Sequence, residues 1–352
     1  MSLRKLNSII WVALAMVAAV SCKKDDETTV PPSLNGTLTF NVSEFVSPGF
    51  VAKMTPKGLS HPDKKGIGYY WKVTPGMTYS DTTRLETGLN QQGKETDGTF
   101  TYWFPDSLGT YTVSCTGFAK GYSSSYASSF VTVVKGGLDG SITGTGIKDK
   151  DQHITADGIT YYYETINGLD WFRNNLADPA YGAPQAKAEA MSDVFGRYYS
   201  YEEAVKACPE GWRLPTDAEW RALAESVNAA SASKEHGIIP DIAADFMADA
   251  RFNGAIMWEY WPAVGEITNK SGLALIPCGY SNLGTKGDNG TYPTAAFFGV
   301  YEYAAFWTAD KVEGEDGMAY YRYLICDQPD MQIGKGDVNT LGASVRCVRE
   351  SK

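Results

Sequence analysis

The side chains that most often carry catalytic or metal chemistry are sparse in this chain of 352 residues. Its three histidines, His61, His153 and His236, lie in separate segments, and none has a second histidine or a cysteine at zinc-ligand spacing. The chain also lacks the G-x-S-x-G nucleophile motif, the phosphate loop, the dinucleotide-binding fingerprint and the EF-hand loop. We therefore predict no catalytic residues, no bound metal and no cofactor.

Two loops, at 287–290 and 310–316, are rich enough in oxygen ligands to hold calcium. Neither repeats the ligand spacing of a dedicated calcium site, so turns or solvated loops are the simpler interpretation. Calcium binding stays an open alternative that no motif supports.

Cys22 ends a segment that is typical of a lipoprotein signal peptide. Arg4 and Lys5 give a basic start, and an apolar run follows at 9–20, shorter than the roughly 20 residues that a membrane span needs. Small residues at 19–21 precede the cysteine. We predict a signal peptide at 1–21, cleavage before Cys22 and lipidation of Cys22, with an ordinary secretory signal as the alternative.

Residues 22–34 are predicted to form a lipidated tether. Its sequence Lys23-Lys24-Asp25-Asp26-Glu27 resembles the acidic export tag of Bacteroidota lipoproteins, and a plain solvated tether is the alternative. The resemblance implies an outer-membrane protein, lipid-anchored and exposed at the cell surface, with membrane contact through the N-terminal lipid only. The net charge of −10 at pH 7 argues against binding of nucleic acid.

Two helices with marked starts would position the side chains of the C-terminal half. Ser200 with Glu203, and Thr216 with Glu219, form capping boxes, which predict a short helix at 201–208 and a second helix after Thr216. The link between them is bounded by prolines, which cannot continue a helix. The second helix carries one apolar stripe at helical spacing, formed by Trp220, Leu223, Ala224 and Val227.

The segment 196–220 as a whole resembles the signature of the FISUMP (Fib_succ_major) domain. Segments 168–176 and 342–349 are similar to the opening and closing strands of that family. The resemblance covers about residues 145–352. It implies an α+β domain of the C-type-lectin-like group, which we place at 147–352.

The same resemblance suggests how the cysteines pair, since the C-type-lectin-like fold brings the first helix against the last strand. This implies a disulfide between Cys208 and Cys347, with Cys278 and Cys326 left as an inner pair. Four buried, reduced thiols are the alternative.

The loops of the region 253–303 would form the ligand face of such a fold, and the region is dense in aromatic residues. We predict that Tyr260, Tyr292, Tyr301 and Tyr303 are exposed and contact the ligand. The neighbouring Trp261, Phe306 and Trp307 are expected in the core. The triplet at 328–330 repeats the Gln-Pro-Asp of galactose-type lectins, but no Trp-Asn-Asp follows it, so we interpret it as chance.

Residues 35–134 are predicted to form an all-β module, followed by a glycine-rich linker at 135–146. The strand around Tyr111 resembles the penultimate strand of a polycystic-kidney-disease (PKD) or immunoglobulin-like sandwich. The resemblance implies a hydrogen bond from Tyr111 to nearby backbone and a core position for Trp71. Cys115 has no other cysteine in this module and is expected as a buried thiol. Such a module on a lipoprotein is interpreted here as a spacer, with a weak binding unit as the alternative.

The leading functional hypothesis is a non-catalytic, surface-exposed lipoprotein. Its C-type-lectin-like domain would recognise an extracellular protein or glycan through the loop face. One alternative is a structural or tip subunit of a fimbria-like surface assembly. Another is a polysaccharide-processing enzyme, which would need two facing carboxylates.

Overall fold

The computed structural model describes residues 30–75, 98–134, 152–248, 250–252, 255–258 and 266–352. These parts of the chain are mostly β-sheet with few helices. No helix within them has the length and apolar composition that crossing a membrane requires. The predicted signal peptide at 1–21, Cys22 with most of the tether, and the linker at 135–146 lie outside the described residues.

The N-terminal part consists of short strands rich in β-branched and aromatic residues, as the sequence predicts. Strands β2, β8, β7 and β5 form one sheet in that order, while β1 pairs with β4 and β3 with β6. Only the β2–β8 pair among these is parallel. The strands are β1 (Asn35–Thr39), β2 (Phe45–Val46), β3 (Val51–Met54), β4 (Lys57–Ser60), β5 (Gly68–Pro75), β6 (Phe100–Trp103), β7 (Gly109–Phe118) and β8 (Ser125–Val133).

One apolar cluster lies at the centre of these strands, and three predicted positions belong to it. Trp71 is buried, stacks on Phe100 with ring centroids 5.6 Å apart, and donates its indole N–H to a backbone carbonyl. Tyr111 donates its hydroxyl to the Ser107 carbonyl at 3.3 Å, which confirms the predicted bond to nearby backbone. Cys115 is a fully buried thiol, and burial raises its pKa to about 12.

The C-terminal part mixes short helices with strands. Its helices are α1 (Ser192–Phe195), α2 (Tyr201–Ala207), α3 (Asp217–Val227) and α4 (Ala243–Phe246), with 3-10 turns at Gln185–Lys187, Glu189–Met191 and Ala229–Ser231. Its strands are β9 (His153–Ala156), β10 (Ile159–Ile166), β11 (Leu169–Phe172), β12 (Ala183–Pro184), β13 (Arg197–Tyr198), β14 (Arg251–Phe252), β15 (Ala255–Ile256), β16 (Tyr280–Asn282), β17 (Ala296–Phe298), β18 (Tyr303–Lys311), β19 (Met318–Ile325), β20 (Gln332–Asp337), β21 (Leu341–Gly342) and β22 (Val348–Glu350).

The sheets of this part bring its two ends together. The last strand, β22, pairs antiparallel with β11, and the full order of that sheet is β22-β11-β10-β9. A second sheet has the order β18-β19-β20, and a third has the order β17-β16-β21. Arg349 on β22 donates to the Asp170 carboxylate on β11 at 2.9 Å, which adds an ion pair to this closure.

Strand β18 lies between two apolar clusters because successive residues of a strand point to opposite faces. Ala304 and Phe306 belong to one cluster, and Ala305 and Trp307 belong to the other. Phe306 and Trp307 are both fully buried, as predicted. Trp261 lies outside the described residues.

Both predicted capping boxes are present, one at the start of α2 and one at the start of α3. The Ser200 and Thr216 side chains each accept a hydrogen bond from the amide of the third helical residue, and that residue's carboxylate accepts one in return. The carboxylate at α3, Glu219, also binds the guanidinium of Arg213 at 2.9 and 2.6 Å. Arg213 exchanges two backbone hydrogen bonds with Val348, so the link between the helices is fixed against the last strand.

A disulfide joins Cys208, at the end of α2, to Cys347, next to β22, with the Cα atoms 5.9 Å apart. This confirms the outer pair. The inner pair is wrong, because Cys278 and Cys326 are both buried thiols. The Cys278 sulfur accepts a hydrogen bond from Ser344 at 3.3 Å inside the larger core, and burial raises the pKa of its thiol.

The N-terminal and C-terminal parts contact each other. Val134, just after β8, is 1% exposed and belongs to the largest apolar cluster of the C-terminal part, together with Met191 and Val194. Phe45 on β2 packs against the same cluster. The end of the first part is therefore in apolar contact with the start of the second.

Candidate functional site

The four predicted ligand-contacting tyrosines do not form one group. Tyr260 lies outside the described residues. Tyr292 is only 6% exposed, so the prediction that it lies on the surface is wrong. Its hydroxyl is hydrogen-bonded to Glu203 at the start of α2, and Lys286 lies 5.7 Å from its ring centroid. Tyr292 therefore helps to satisfy a buried carboxylate.

Tyr301 is half-buried and faces the core. Its ring packs edge-on against Phe195 of α1, with centroids 6.3 Å apart. Its φ of 74° lies in the left-handed region that non-glycine residues rarely adopt, and its amide donates to the Pro277 carbonyl at 3.0 Å. This conformation reverses the chain just before β18 and leaves Tyr301 as an anchor of the turn.

Tyr303 meets other aromatic side chains at the surface. Its ring lies edge-on to Tyr280, with centroids 6.1 Å apart, and Tyr280 in turn packs on Phe298 at 5.6 Å. Tyr321 and Tyr323 continue the group, with their own centroids 5.5 Å apart. We call these five side chains the aromatic patch.

Strand register places three members of the patch on one face of the β18-β19-β20 sheet. Tyr303 pairs with Ile325, and Tyr323 pairs with Ala305, so these side chains point to the same side as Tyr321. Opposite Tyr321 on β20 is Gly334, where a Cβ would lie only 2.4 Å from the tyrosine ring. The missing side chain lets the Tyr321 ring lie flat across the neighbouring strand.

The other two members of the patch come from a neighbouring hairpin. Tyr280 on β16 pairs directly with Phe298 on β17, and they are respectively 36% and 46% exposed. Gly279, just before Tyr280, has a φ of 73°, and a Cβ there would lie 2.2 Å from the Phe298 carbonyl oxygen. Only glycine allows this close approach, which sets Tyr280 beside Tyr303.

The electrostatics of the patch are set by burial and by two acidic neighbours. Burial raises the pKa of Tyr303, and the nearby charges of Glu302 and Asp327 raise it further. Burial also raises the pKa of Tyr321, with smaller contributions from Tyr323 and Tyr280. The hydroxyls of Tyr303 and Tyr321 therefore stay protonated at neutral pH and can donate hydrogen bonds, at a surface with negative charge along one edge.

The loops considered for calcium serve as turns. The Asn289 side chain accepts hydrogen bonds from the amide and hydroxyl of Thr291, and the Gly290 amide donates to the Gly287 carbonyl. In the second loop, the Glu315 amide donates to the Val312 carbonyl at 3.3 Å. Among the residues that the structure describes, no three His, Cys, Asp or Glu side chains converge as metal ligands would.

Comparison with known families decides what kind of domain carries the patch. The model of the Fibrobacter succinogenes major domain (Fib_succ_major) matches residues 165–349, more than half of the chain. The chain belongs to this family. The matched range includes the whole aromatic patch, both capping boxes and the disulfide, so these are features of the Fib_succ_major domain of this protein.

Other comparisons add little. No curated protein matches the chain. Among solved structures, "Structure of Yersinia pseudotuberculosis adhesin InvE" is 10% identical, with 90% of this chain and 71% of that chain covered and a TM-score of 0.21. A likeness this weak indicates neither fold nor function.

Reasoning from the sequence found Tyr303 but missed the rest of the patch. Tyr321 and Tyr323 alternate along β19, a pattern that predicts a shared face but not its neighbours. Tyr280 and Phe298 are separated by 18 positions, and only the register of β16 with β17 brings them together. The Fib_succ_major domain therefore assembles its patch from four strands, β16, β17, β18 and β19.

Proposed function

We propose that this protein is a surface-exposed, lipid-anchored lipoprotein that binds an extracellular glycan through the aromatic patch of its Fib_succ_major domain, without catalysing a reaction. The observation that carries this proposal is the contiguous set of partly exposed rings at Tyr280, Phe298 and Tyr303. Three such rings at a folded surface, held by strands, are costly to leave in water and suit a ligand with flat apolar faces.

The chemistry of the patch favours a neutral glycan. Each tyrosine offers an apolar ring and a hydroxyl, which matches a sugar with one apolar face and hydroxyls at its edge. Glu302 and Asp327 add carboxylate oxygens beside Tyr303 that can accept hydrogen bonds from sugar hydroxyls. The same negative charge disfavours acidic polysaccharides.

The wider architecture that we propose follows the family resemblance. The domain at 147–352 would have a C-type-lectin-like fold, with the patch on strands β16 to β19, rather than on loops, as its ligand face. The module at 35–134 would be an immunoglobulin-like or PKD-like sandwich that acts as a spacer. Lipidation of Cys22 would anchor the chain in the outer membrane, with its charged tether leading to the cell surface.

A second candidate function is that of a structural or tip subunit in a surface assembly. It is favoured by exposed apolar side chains on the N-terminal strands. Val51 and Trp103 pair across β3 and β6 and are each 55% exposed, and Phe130 on β8 is 66% exposed. Side chains of this kind are often buried against another subunit. A subunit of this kind would oligomerise. Light scattering on the purified full chain measures its oligomeric state.

The proposal is tested by binding of the purified full chain to an array of glycans and extracellular-matrix proteins, with and without a chelator. We expect binding to neutral glycans that does not depend on the chelator. If the chain binds matrix proteins but no glycan, its ligand is a protein and not a glycan. A monomeric, folded chain that binds nothing on the array would contradict the proposal, and an oligomer would support the assembly subunit.

A further inference from the structure

A cavity of about 140 Å³ lies inside the Fib_succ_major domain, and its lining includes no member of the aromatic patch. Its wall is formed by the start of β10, the segment after β11, α1, and the chain around Ala274 and Arg346. The volume exceeds the roughly 15 Å³ that one water molecule needs, so a group of several heavy atoms fits. The wall combines apolar and polar side chains, and an occupant has to match both.

The guanidinium of Arg346 is the most extensively bonded group of this wall, and its donors are taken by the protein. It is 1% exposed. It donates to the Asn175 side chain at 2.7 Å and to the backbone carbonyls of Phe172, Leu273 and Ala274 at 3.1, 2.7 and 3.2 Å. Arg346 therefore forms part of the wall and does not require a ligand to satisfy it.

The second buried guanidinium of the wall, that of Arg173, is also compensated. Its Nε donates to the Gly272 carbonyl at 2.7 Å. Burial lowers the pKa of Arg173, and the charge of the Glu164 carboxylate opposes that shift. The two arginines therefore give the cavity no need for an anionic ligand, while their positive charges still disfavour a cationic one.

Tyr161 brings a hydrogen-bond donor to the cavity. Its ring is buried and stacks on Phe172, with centroids 4.8 Å apart. Burial raises the pKa of Tyr161 to about 12, so the hydroxyl is protonated at neutral pH. The oxygen accepts a hydrogen bond from the Ala177 amide at 3.2 Å, and within the described parts of the chain no group accepts the hydroxyl proton. This proton can be donated to an occupant.

Asn174 adds a second donor. Its side-chain oxygen accepts a hydrogen bond from the Tyr162 amide at 2.8 Å, which fixes the orientation of the amide group. The amide nitrogen is left with two N–H groups to donate. The polar part of the wall therefore offers donors that suit a carbonyl oxygen.

The other groups of the wall are apolar inside and acidic at the mouth. Ala177, Val194 and Ile276 are buried and line the cavity. Asp193 and Thr160 also line it but are exposed to solvent, so they lie at its mouth. The Asp193 carboxylate can accept a hydrogen bond from a group that enters the cavity, and it repels anions.

We propose that this cavity binds the acetamido group of a neutral N-acetylated molecule. The methyl group packs against Val194 and Ile276, the carbonyl oxygen accepts a hydrogen bond from Tyr161, and the N–H donates to the Asp193 carboxylate. The rest of the molecule lies outside the mouth in solvent. A neutral amide matches each of these groups, whereas an anion meets Asp193 and a cation meets the two arginines.

The test is saturation-transfer NMR on the purified full chain with N-acetylglucosamine and with N-acetylglycinamide, which carry the same acetamido group on a sugar and on a peptide unit. We expect the acetyl methyl protons to receive more saturation than the other protons of the molecule, because they lie deepest. Binding of either molecule in this way supports the site, and the one that binds more tightly shows which kind of molecule it serves. Absence of binding by both overturns the proposal.

Two variants test the assigned hydrogen bonds. Asp193→Ala changes an exposed side chain, so the fold should be retained, and it should weaken binding about tenfold because a hydrogen bond to a charged group is lost. Tyr161→Phe should weaken binding about fivefold, because it removes the donor to the carbonyl oxygen. Unchanged affinity in both variants would contradict the assignment.

A blocking variant shows whether the signal comes from the cavity. Thr160 lines the mouth, and its cross-strand partner Thr155 on β9 is exposed but lies outside the cavity. Thr160→Trp should abolish the saturation of the acetyl methyl protons, whereas Thr155→Trp, the matched control, should leave it unchanged. A signal that survives Thr160→Trp comes from another site, such as the aromatic patch, and overturns the proposal.

Discussion

At the scale of single residues, Asp217 is the centre of a buried polar network in the Fib_succ_major domain. It is 1% exposed and is the first residue of α3. Its carboxylate accepts hydrogen bonds from Arg322 on β19, from Arg221 at 2.9 Å and from the His236 amide at 3.0 Å. Arg322 is fully buried, so helix and sheet are joined by an ion pair that has no contact with water.

We expect the Arg322→Met variant to lose about 3–5 kcal/mol of unfolding free energy, because it leaves the Asp217 carboxylate buried with less compensating charge. Urea unfolding of the full chain measures this. The double variant with Asp217→Asn should recover part of the loss, since a neutral amide needs no cation. If Arg322→Met unfolds at the same urea concentration as the wild type, the ion pair contributes nothing to the free energy of unfolding.

Glu203 makes stability depend on pH. Burial raises the pKa of this carboxyl, but hydrogen bonds from Lys286, Tyr292 and the Ser200 amide outweigh burial and hold it below the usual 4.5. The stability gained from ionised Glu203 is therefore present above about pH 4.5 and is lost as pH falls through the lower, folded value. Unfolding curves of Glu203→Gln should show a weaker decline below pH 4.5 than the wild type, and identical slopes would contradict this assignment.

At the scale of elements, the two capping boxes fix where α2 and α3 begin, and Arg213 fixes the chain between them. Its guanidinium holds Glu219 of the second box, while its backbone pairs with Val348 of β22. The start of α3, the link that precedes it and the last strand, β22, are therefore connected to one another.

The Thr216→Ala variant should lose about 1 kcal/mol of unfolding free energy, because the hydroxyl that caps the Glu219 amide is removed. Thr216→Ser is the matched control and should remain within a few tenths of a kcal/mol of the wild type, since it keeps the oxygen. Denaturant unfolding of both variants gives the comparison. Equal losses in the two would mean that the methyl group matters and the cap does not.

Features that depend on residues close together in the chain could be predicted from the sequence. Features that depend on contacts between distant segments could not. The capping boxes and the Tyr111 hydrogen bond to Ser107 depend on residues three or four positions apart, so their sequence pattern was sufficient. The burial of Tyr292 depends on Glu203, which is 89 positions away, and no local pattern reports it. The same holds for Cys278, whose hydrogen-bond partner is Ser344.

At the scale of the whole molecule, the disulfide and strand β22 close the C-terminal part. Cys208 and Cys347 are separated by 139 positions, and the bond crosses from α2 to the last strand. A cross-link over a loop of this length removes much of the freedom of the unfolded chain.

The Cys208→Ala, Cys347→Ala double variant should therefore lose roughly 4 kcal/mol of unfolding free energy, with chain entropy as the main cause. Wild-type protein unfolded with a reducing agent is the control and should match the double variant. A double variant that unfolds at the oxidised wild-type midpoint would show that the loop is constrained by other contacts.

Glycan binding at the aromatic patch is the central property that we propose for this protein. The most direct test is calorimetric titration of the full chain with neutral hexasaccharides of glucose, mannose, galactose and N-acetylglucosamine. The test variant is Tyr280→Ala, which removes a ring of the patch. The matched control is Tyr126→Ala, which removes a ring on β8 that is 59% exposed. We expect Tyr280→Ala to weaken binding about tenfold or more and Tyr126→Ala to leave it unchanged. Equal affinity of Tyr280→Ala and wild type for the same hexasaccharide would contradict the account.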